Sequence, residues 1–491
     1  MGGTSHYLLT QMWTNFNETA LEMANNTTSF GDYGTQNDID WLGLLSVELI
    51  EHILIFMSYE DIENLGQCSQ RLRDITHNET LWRELASRDY GIVIDKTENL
   101  NGKSLRTFYL KVLANFGCLL FKPFRRKDFE YYGGIIKVAY HDFSLYVIEL
   151  EPPPFPAVMK PLQPQFLCRI AMDQYDTDGV VTFEQETTDF GVIKSLEVTN
   201  DSLCQFRIIS TPSSSAYMKD LRGEIAAWFE EDSGPSLPQG IIRVNDFAKR
   251  FGLPPNMALE KLSDRIEFLN HGIQHCIALP APKSMQPPSL FAPITPGIFK
   301  GTYGPHGIEI ISVRYEYEPS MENRCKGLIL GEKLYGDRNV PCNQLTFKGY
   351  LNKSMTLSKS NQSSIGQIKD YMEGTEETEF LPQDMKPNIQ PFILPDDCDC
   401  ECQVNDELFS TALWRFQASC QIAGDMYNNP EWIDGNVIIF SDDLFGVIFI
   451  AEDHGFVSLS IYHRVKQNLS AIQYKDVFDH LPVPKFIKHH S

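Results

Sequence analysis

Three cations and one histidine stand in or near glycine-rich segments that alternate like strands: Lys300, Lys333, Arg464 and His306. Lys300 and His306 belong to PGIFKGTYGPHGIEIISVRYEYEP at 296–319, where Gly301, Gly304 and Gly307 recur every third residue. No Lys-Ser/Thr pair closes this run and no helix pattern follows, so it is neither a P-loop nor a dinucleotide fingerprint. Glycines at that spacing leave backbone N–H groups reachable, as a nest of donors for an anion requires. Tyr303 could wall such a site. The plainer reading is a hairpin turn with glycine at positive φ, with these four bases paired to surface acids such as Glu309 and Glu332. Both readings stay open on the residues alone.

Other chemistry-bearing runs lead less far. In DQYDTDGVVTFEQE (173–186), placing Gly179 at the sixth position of a calcium loop puts Gln174 first and Gln185 twelfth. The bidentate carboxylate is then missing, and a solvated turn is expected. CDCEC at 398–402 has poor spacing for a tetrahedral zinc site and no neighbouring histidine, so an exposed acidic loop is expected there and no metal or other cofactor. FKPFRRKDF at 121–129 interleaves bases with aromatics and is expected as a surface strip. No GxSxG, HExxH or paired-carboxylate motif marks a catalytic centre.

The 491 residues leave room for two or three domains, and 42% hydrophobic content can build a core. A net charge of −23 opposes nucleic acid and anionic membrane surfaces as main partners. No apolar run approaches the ~20 residues of a span, and the amino terminus has no basic region or apolar core of a signal peptide. Gly2 lacks the Ser or Thr that myristoylation wants at the sixth position, where His6 stands. Eleven cysteines are then expected reduced, in a cytosolic or nuclear protein.

The elements that must position these residues follow from texture. Residues 1–38 read as a polar tail, 39–92 as three short helices, and 93–130 as a helical connector holding a fourth over 104–116. From Tyr132 the chain turns β-branched and aromatic, with a hairpin at 133–150 and strands through FLCRIAM, GVVTF, GVIKSLEV and CQFRIIS. Helical period returns within 216–270, strands at 297–314, 326–350 and 410–465. Residues 353–390 read as a polar insertion without regular period, and 471–491 as a tail.

In the first helix, Leu49, Ile50, Ile53, Leu54, Phe56 and Met57 spread over an arc of roughly 160°. Ser46 can cap it, Ser58 with Asp61 opens the second helix, and Asn78 caps a third carrying Leu81, Trp82 and Leu85. A domain of about 45 residues can hardly bury so wide an arc alone. Either the next domain covers the excess, or a partner helix does. The residue order Leu45–Leu49, Ile53–Phe56, Tyr59–Ile62, Gln67-Cys68 and Leu81–Arg83 resembles an F-box, with Ser46 where that family usually has proline. The resemblance implies docking to the Skp-type adaptor of a Skp–cullin–F-box ubiquitin ligase through Leu45, Leu49, Ile50, Ile53, Leu54, Phe56, Leu65, Cys68, Leu81 and Trp82.

Lys300-Gly301-Thr302-Tyr303-Gly304 and His306–Ile310 resemble the signature of one F-box group, the F-box only protein 31 family, as do GEKLYGDRNVP (331–341), QIAG (421–424), FGVIFI (445–450), IYHRV (461–465) and YGGIIKV (132–138). The resemblance implies an α+β protein: an F-box helical domain, then a β-rich, barrel-like substrate domain over 131–470. It implies a non-catalytic receptor whose barrel binds degrons at target C-termini, D-type cyclins among them. The substrate site would then draw on Lys300, Gly301, Thr302, Tyr303, Gly304, His306, Gly307, Lys333 and Arg464. The zinc site expected of the family finds only Cys204 and no histidine over 183–220. A ligand-binding β-barrel and an enzyme with an unrecognised site are the rival readings.

Overall fold

The computed structural model describes residues 45–95, 100, 102–127, 131–153, 157–173, 175–176, 178–185, 191–199, 205–212, 273–279, 292–303, 307–319, 325–377, 386–400, 409–467 and 469. The two tails, the helical stretches read within 216–270, and the residues Gly304 and His306 lie outside the described residues. The chain divides into two compact units, Met1–Thr76 and His77–Ser491. The division falls inside the 39–92 region read as one domain.

The first unit holds α1 (Val47–Leu54), α2 (Tyr59–Gly66) and α3 (Gln70–Thr76). The caps are those the sequence spells out. Ser46 accepts from the Leu49 N–H at 3.4 Å and Ser58 from the Asp61 N–H at 3.2 Å, each satisfying an orphan donor of the first turn. Gly66 lets α2 meet α3, since a Cβ there would stand 2.5 Å from Thr76 Oγ1. Ile50, Leu54, Ile62, Leu72 and Ile75 are buried.

The second unit opens with α4 (Glu79–Tyr90), capped by Asn78 and ended by Gly91 at φ 67°. Trp82 is fully buried and meets Tyr109 edge-on at 5.1 Å. The short α5 (Leu105–Phe108) runs on through a π-turn into Ala114–Phe116. An eight-stranded antiparallel sheet follows. Its strands are β1 (Phe124–Arg126), β2 (Ile135–His141), β3 (Ser144–Glu151), β4 (Gln163–Met172), β5 (Val181–Glu184), β6 (Gly191–Thr199), β7 (Gln205–Pro212) and β8 (Ile273–Ala278), in the order β5-β4-β3-β2-β1-β8-β7-β6. The basic run expected on the surface is instead an interior strand of this sheet. Arg126 is buried against Glu149 at 3.0 Å and Arg125 pairs with Glu332, because a guanidinium inside a sheet needs an acid beside it. The calcium-like run is a β4–β5 turn in which Asp176 accepts from the Val180 N–H at 2.8 Å.

Lys137 on β2 is buried, its ammonium donating to the Leu120 carbonyl, and burial lowers its pKa from 10.5 to about 8. Below about 8 the lysine is charged in folded and unfolded chains, and the desolvation cost is carried in full. Between about 8 and 10.5 the unfolded chain holds the extra proton, so this group makes stability rise with pH. Lys137→Met is expected to stabilise the protein by about 1–3 kcal/mol at neutral pH and to abolish that rise. Urea unfolding at neutral and at alkaline pH checks both.

A closed barrel completes the unit. Its strands are β9 (Gly297–Thr302), β10 (Ile308–Pro319), β11 (Cys325–Tyr335), β12 (Leu345–Ser354), β15 (Trp414–Gly424), β16 (Asn428–Ser441), β17 (Leu444–Ala451) and β18 (Phe456–Arg464), closed by β18 on β9. The short β13 (Gln390–Pro391) and β14 (Thr411–Ala412) pair outside it. Alternation along β15 sends Trp414, Phe416, Ala418, Cys420 and Ile422 into the barrel core with Phe299, Phe347, Phe445 and Tyr462. A Cβ on Gly301 would stand 2.6 Å from the Ile461 carbonyl and from the Tyr462 ring, so glycine is what allows β9 to close on β18. Gly307, at φ 88°, makes the β9–β10 turn.

The described residues of the stretch read as a polar insertion, 353–377 and 386–390, include a helix that packs on the barrel. Ser364 caps α6 (Ile365–Glu373), whose Ile365, Ile368 and Met372 pack with Ile438, Phe440 and Ile448 of the barrel wall. Beneath it Arg415 is buried, donating to Asn436 and Gln362 at 2.9 Å each, and burial lowers its pKa to about 9. Cys398, expected in an exposed acidic loop, is instead buried in the same apolar packing as α6.

Candidate functional site

Two surfaces offer themselves, one in each unit. In the first, α1 splits its apolar arc. Ile50 and Leu54 are 1% exposed, whereas Leu49 and Phe56 are 53% exposed and Ile53 and Val47 42%. Leu65 is half-buried and Cys68 exposed. Large apolar side chains this open on one helix and just beyond it form an exposed apolar face. Of the residues expected to face an adaptor, Ile50, Leu54, Leu81 and Trp82 belong instead to the chain's own interior. A hydrophobic arc in sequence does not distinguish the half that folds the helix from the half that waits for a partner.

In the second unit a cavity of about 390 Å³ opens at one mouth of the barrel. Tyr303 comes from the end of β9, Asn339 from the loop after β11, and Ile422, Ala423 and Gly424 from the end of β15. Asn428, Asn429 and Glu431 start β16, and His454 and Phe456 sit in and beside the β17–β18 turn. The polar lining is largely self-satisfied. Asn339 donates to the Ala423 carbonyl at 2.8 Å, Asn428 to that of Asp425 at 2.8 Å, and His454 Nε2 lies 2.5 Å from Glu431 Oε1.

Lys333, with no exposed surface, lies under this cavity. Its Nζ is 3.9 Å from the centroid of the Tyr303 ring and 2.8 Å from both Glu309 and Asp337. Asp337 also accepts from the N–H groups of Asn339 (2.7 Å) and Val340 (2.9 Å), and Tyr462 donates to Glu309. The two carboxylates hold the lysine protonated, pushing its pKa far above the ordinary value. Burial pushes the Glu309 pKa up, since one ammonium cannot neutralise two acids in the same dry space.

Of the nine residues expected at a substrate site, Tyr303 lines the cavity and Lys333 underlies it. The others lie elsewhere or outside the described residues. Lys333 pairs with Glu309, the acid named as its alternative partner, inside the barrel rather than on its surface. Lys300 is buried in the barrel wall with its ammonium on the Lys160 carbonyl, and burial lowers its pKa. Thr302 is buried, and Gly301 and Gly307 serve strand closure and the turn. Arg464 sits at the far end of β18, holding Asp443 at 3.1 Å and the Thr295 carbonyl at 2.9 Å. Asn339 and Ile422–Gly424 fall in segments whose family likeness was visible. The sequence does not single out Asn428, Asn429, Glu431, His454 and Phe456, because 410–465 reads only as strands.

Comparison with known proteins bears on both surfaces. A model of the F-box domain matches residues 42–84, and a model described as the cyclin D1 binding domain matches residues 279–469, the span of the whole barrel. The chain carries an F-box domain. It is 24% identical over 472 residues to F-box only protein 31 of Mus musculus, covering 87% of this chain and 86% of that protein. It is 23% identical over 482 residues to F-box only protein 31 of Homo sapiens, covering 86% and 82%. Against F-box only protein 31-B of Xenopus laevis identity is 22% over 476 residues, covering 86% and 83%. An F-box joins its chain to the Skp-type adaptor and through it to a cullin. An F-box followed by such a domain is the organisation of a ubiquitin-ligase substrate receptor, a class of subunit that is generally non-catalytic.

Proposed function

We propose that this substrate receptor captures the C-terminal residues of its targets, D-type cyclins among them, in the barrel-mouth cavity, and presents them for ubiquitination. One observation carries the reading: three segments that resemble the family's signatures, around Tyr303, Asn339 and Ile422–Gly424, converge on one cavity. At about 390 Å³ it is near the small end of ligand pockets, suited to one or two residues rather than a folded surface. The same reading carries a cytosolic or nuclear location, and Leu49, Ile53 and Phe56 as the adaptor face.

The charges favour an uncharged end. Lys300, Lys333 and Arg464 are each engaged, and Lys333 already faces two acids. Among the described residues that line the cavity the basic group is His454, which already faces Glu431, so burying a free carboxylate there is costly. A terminal amide brings donors and acceptors without that charge. Three versions of one D-type cyclin C-terminal peptide test this: ending in a carboxylate, in an amide, or extended by several residues. The amide is expected to bind at least tenfold more tightly than the carboxylate, about 1.4 kcal/mol, and the extended peptide to lose binding. Equal binding of all three would mean that an internal segment is read.

A further inference from the structure

The two ladders of β16 end at different places. Its pairing with β15 runs from Ile439 out to Asn428, whereas its pairing with β17 stops at Asp434 opposite Ile450. Residues 428–433 therefore have a strand on one side only, and their side chains are exposed or half-exposed. Across the open side stands the β17–β18 turn with His454 and Phe456, and the cavity lies in the gap between them. The Glu431–His454 pair spans that gap at the surface, with each side chain about half exposed.

This edge is held in shape before anything binds. Met426, Tyr427 and Asn429 all adopt positive φ, at 57°, 56° and 48°. The turn is pinned to the loop after β11 by the Tyr427 N–H on the Arg338 carbonyl at 2.8 Å and by Arg338 on Asp425 at 3.3 Å. Non-glycine residues keep such backbone angles only where their surroundings fix them. Pro430 and Glu431 discourage pairing with another protein's sheet, as edge strands commonly do. A single extended peptide can still pair with the N–H and C=O groups on either side of Pro430, which itself has no N–H to give.

We propose that the target peptide adds as a strand along Asn428–Ile433, with its last residue reaching the cavity beside Tyr303. The inference rests on the terminus-capture reading and extends it. Affinity along the peptide comes from main-chain hydrogen bonds, so this receptor tolerates varied side chains upstream of the terminus. Recognition repeats with the two-residue period of a strand.

The test uses the full chain bound to its Skp-type adaptor and the D-type cyclin C-terminal decapeptide in its better-binding form. Single N-methyl groups are placed at each of the six amides preceding the last residue. Strand addition predicts weakening of at least tenfold at alternate amides and less than threefold at those between. Binding of the parent peptide with uniform tolerance, or with losses that do not alternate, overturns strand addition and leaves terminus capture standing. Failure of every parent peptide to bind overturns both.

Discussion

Leu49→Ala/Ile53→Ala/Phe56→Ala is expected to cut capture of the Skp-type adaptor by more than a hundredfold and to leave the melting of the barrel unchanged. The three side chains are 53%, 42% and 53% exposed, so truncating them removes little of the chain's own core. His52 meets Phe56 edge-on at 5.6 Å, which holds the Phe56 ring on that face. Burying half of each large side chain against a partner contributes roughly 1–2 kcal/mol, and three together roughly 3–6 kcal/mol, or two to four decades of affinity. Ile50→Ala and Leu54→Ala give the contrast, since both sites are 1% exposed. Each is expected to cost about 2–5 kcal/mol of folding stability. Pull-down with the adaptor, paired with thermal melts, separates the two faces. Undiminished capture by the triple variant would mean that another surface makes the joint.

That contrast also marks how far the sequence could be read. Caps are local chemistry, and Ser46, Ser58 and Asn78 act as N-caps just where their types and spacing place them. Strand texture is local too, so β4, β6, β7 and most barrel strands lie where alternation puts them. What escaped depends on distant partners. An arc of apolar residues does not say that Ile50 turns inward while Leu49 turns out. A lysine in a glycine-rich motif does not announce Glu309 and Asp337 as partners, nor Arg464 its grip on Asp443. α6 was missed because its inward stripe, Ile365, Ile368 and Met372, is narrow and set among polar residues. The rim of the cavity was missed for another reason: Asn428, Asn429 and Glu431 line it where β16 outruns β17, a property of register rather than composition.

Lys333→Met is expected to destabilise the barrel by about 3–5 kcal/mol, because it strands two carboxylates around a site with no access to water. Glu309 and Asp337 each lie 2.8 Å from the ammonium, and both are nearly fully buried. The loss should depend on pH with a definite sign. Burial already pushes the Glu309 pKa above 4.5, and removing the cation pushes it further. A carboxyl whose folded pKa is raised adds stability below its unfolded pKa and loses it as pH rises through the folded one. The variant should therefore lie nearer the parent in mildly acidic buffer than at neutral pH or above. Adding Glu309→Gln and Asp337→Asn removes the stranded charges and should recover most of the stability. Recovery of the fold need not recover the cavity, however. The cation under the Tyr303 ring would still be gone, and Asp337 would no longer hold the Asn339 and Val340 N–H groups as an anion. Denaturant unfolding of the single and triple variants, read beside peptide binding, decides the matter. A single variant as stable as the parent at neutral pH would show that the acids are already protonated and that the lysine is not what balances them.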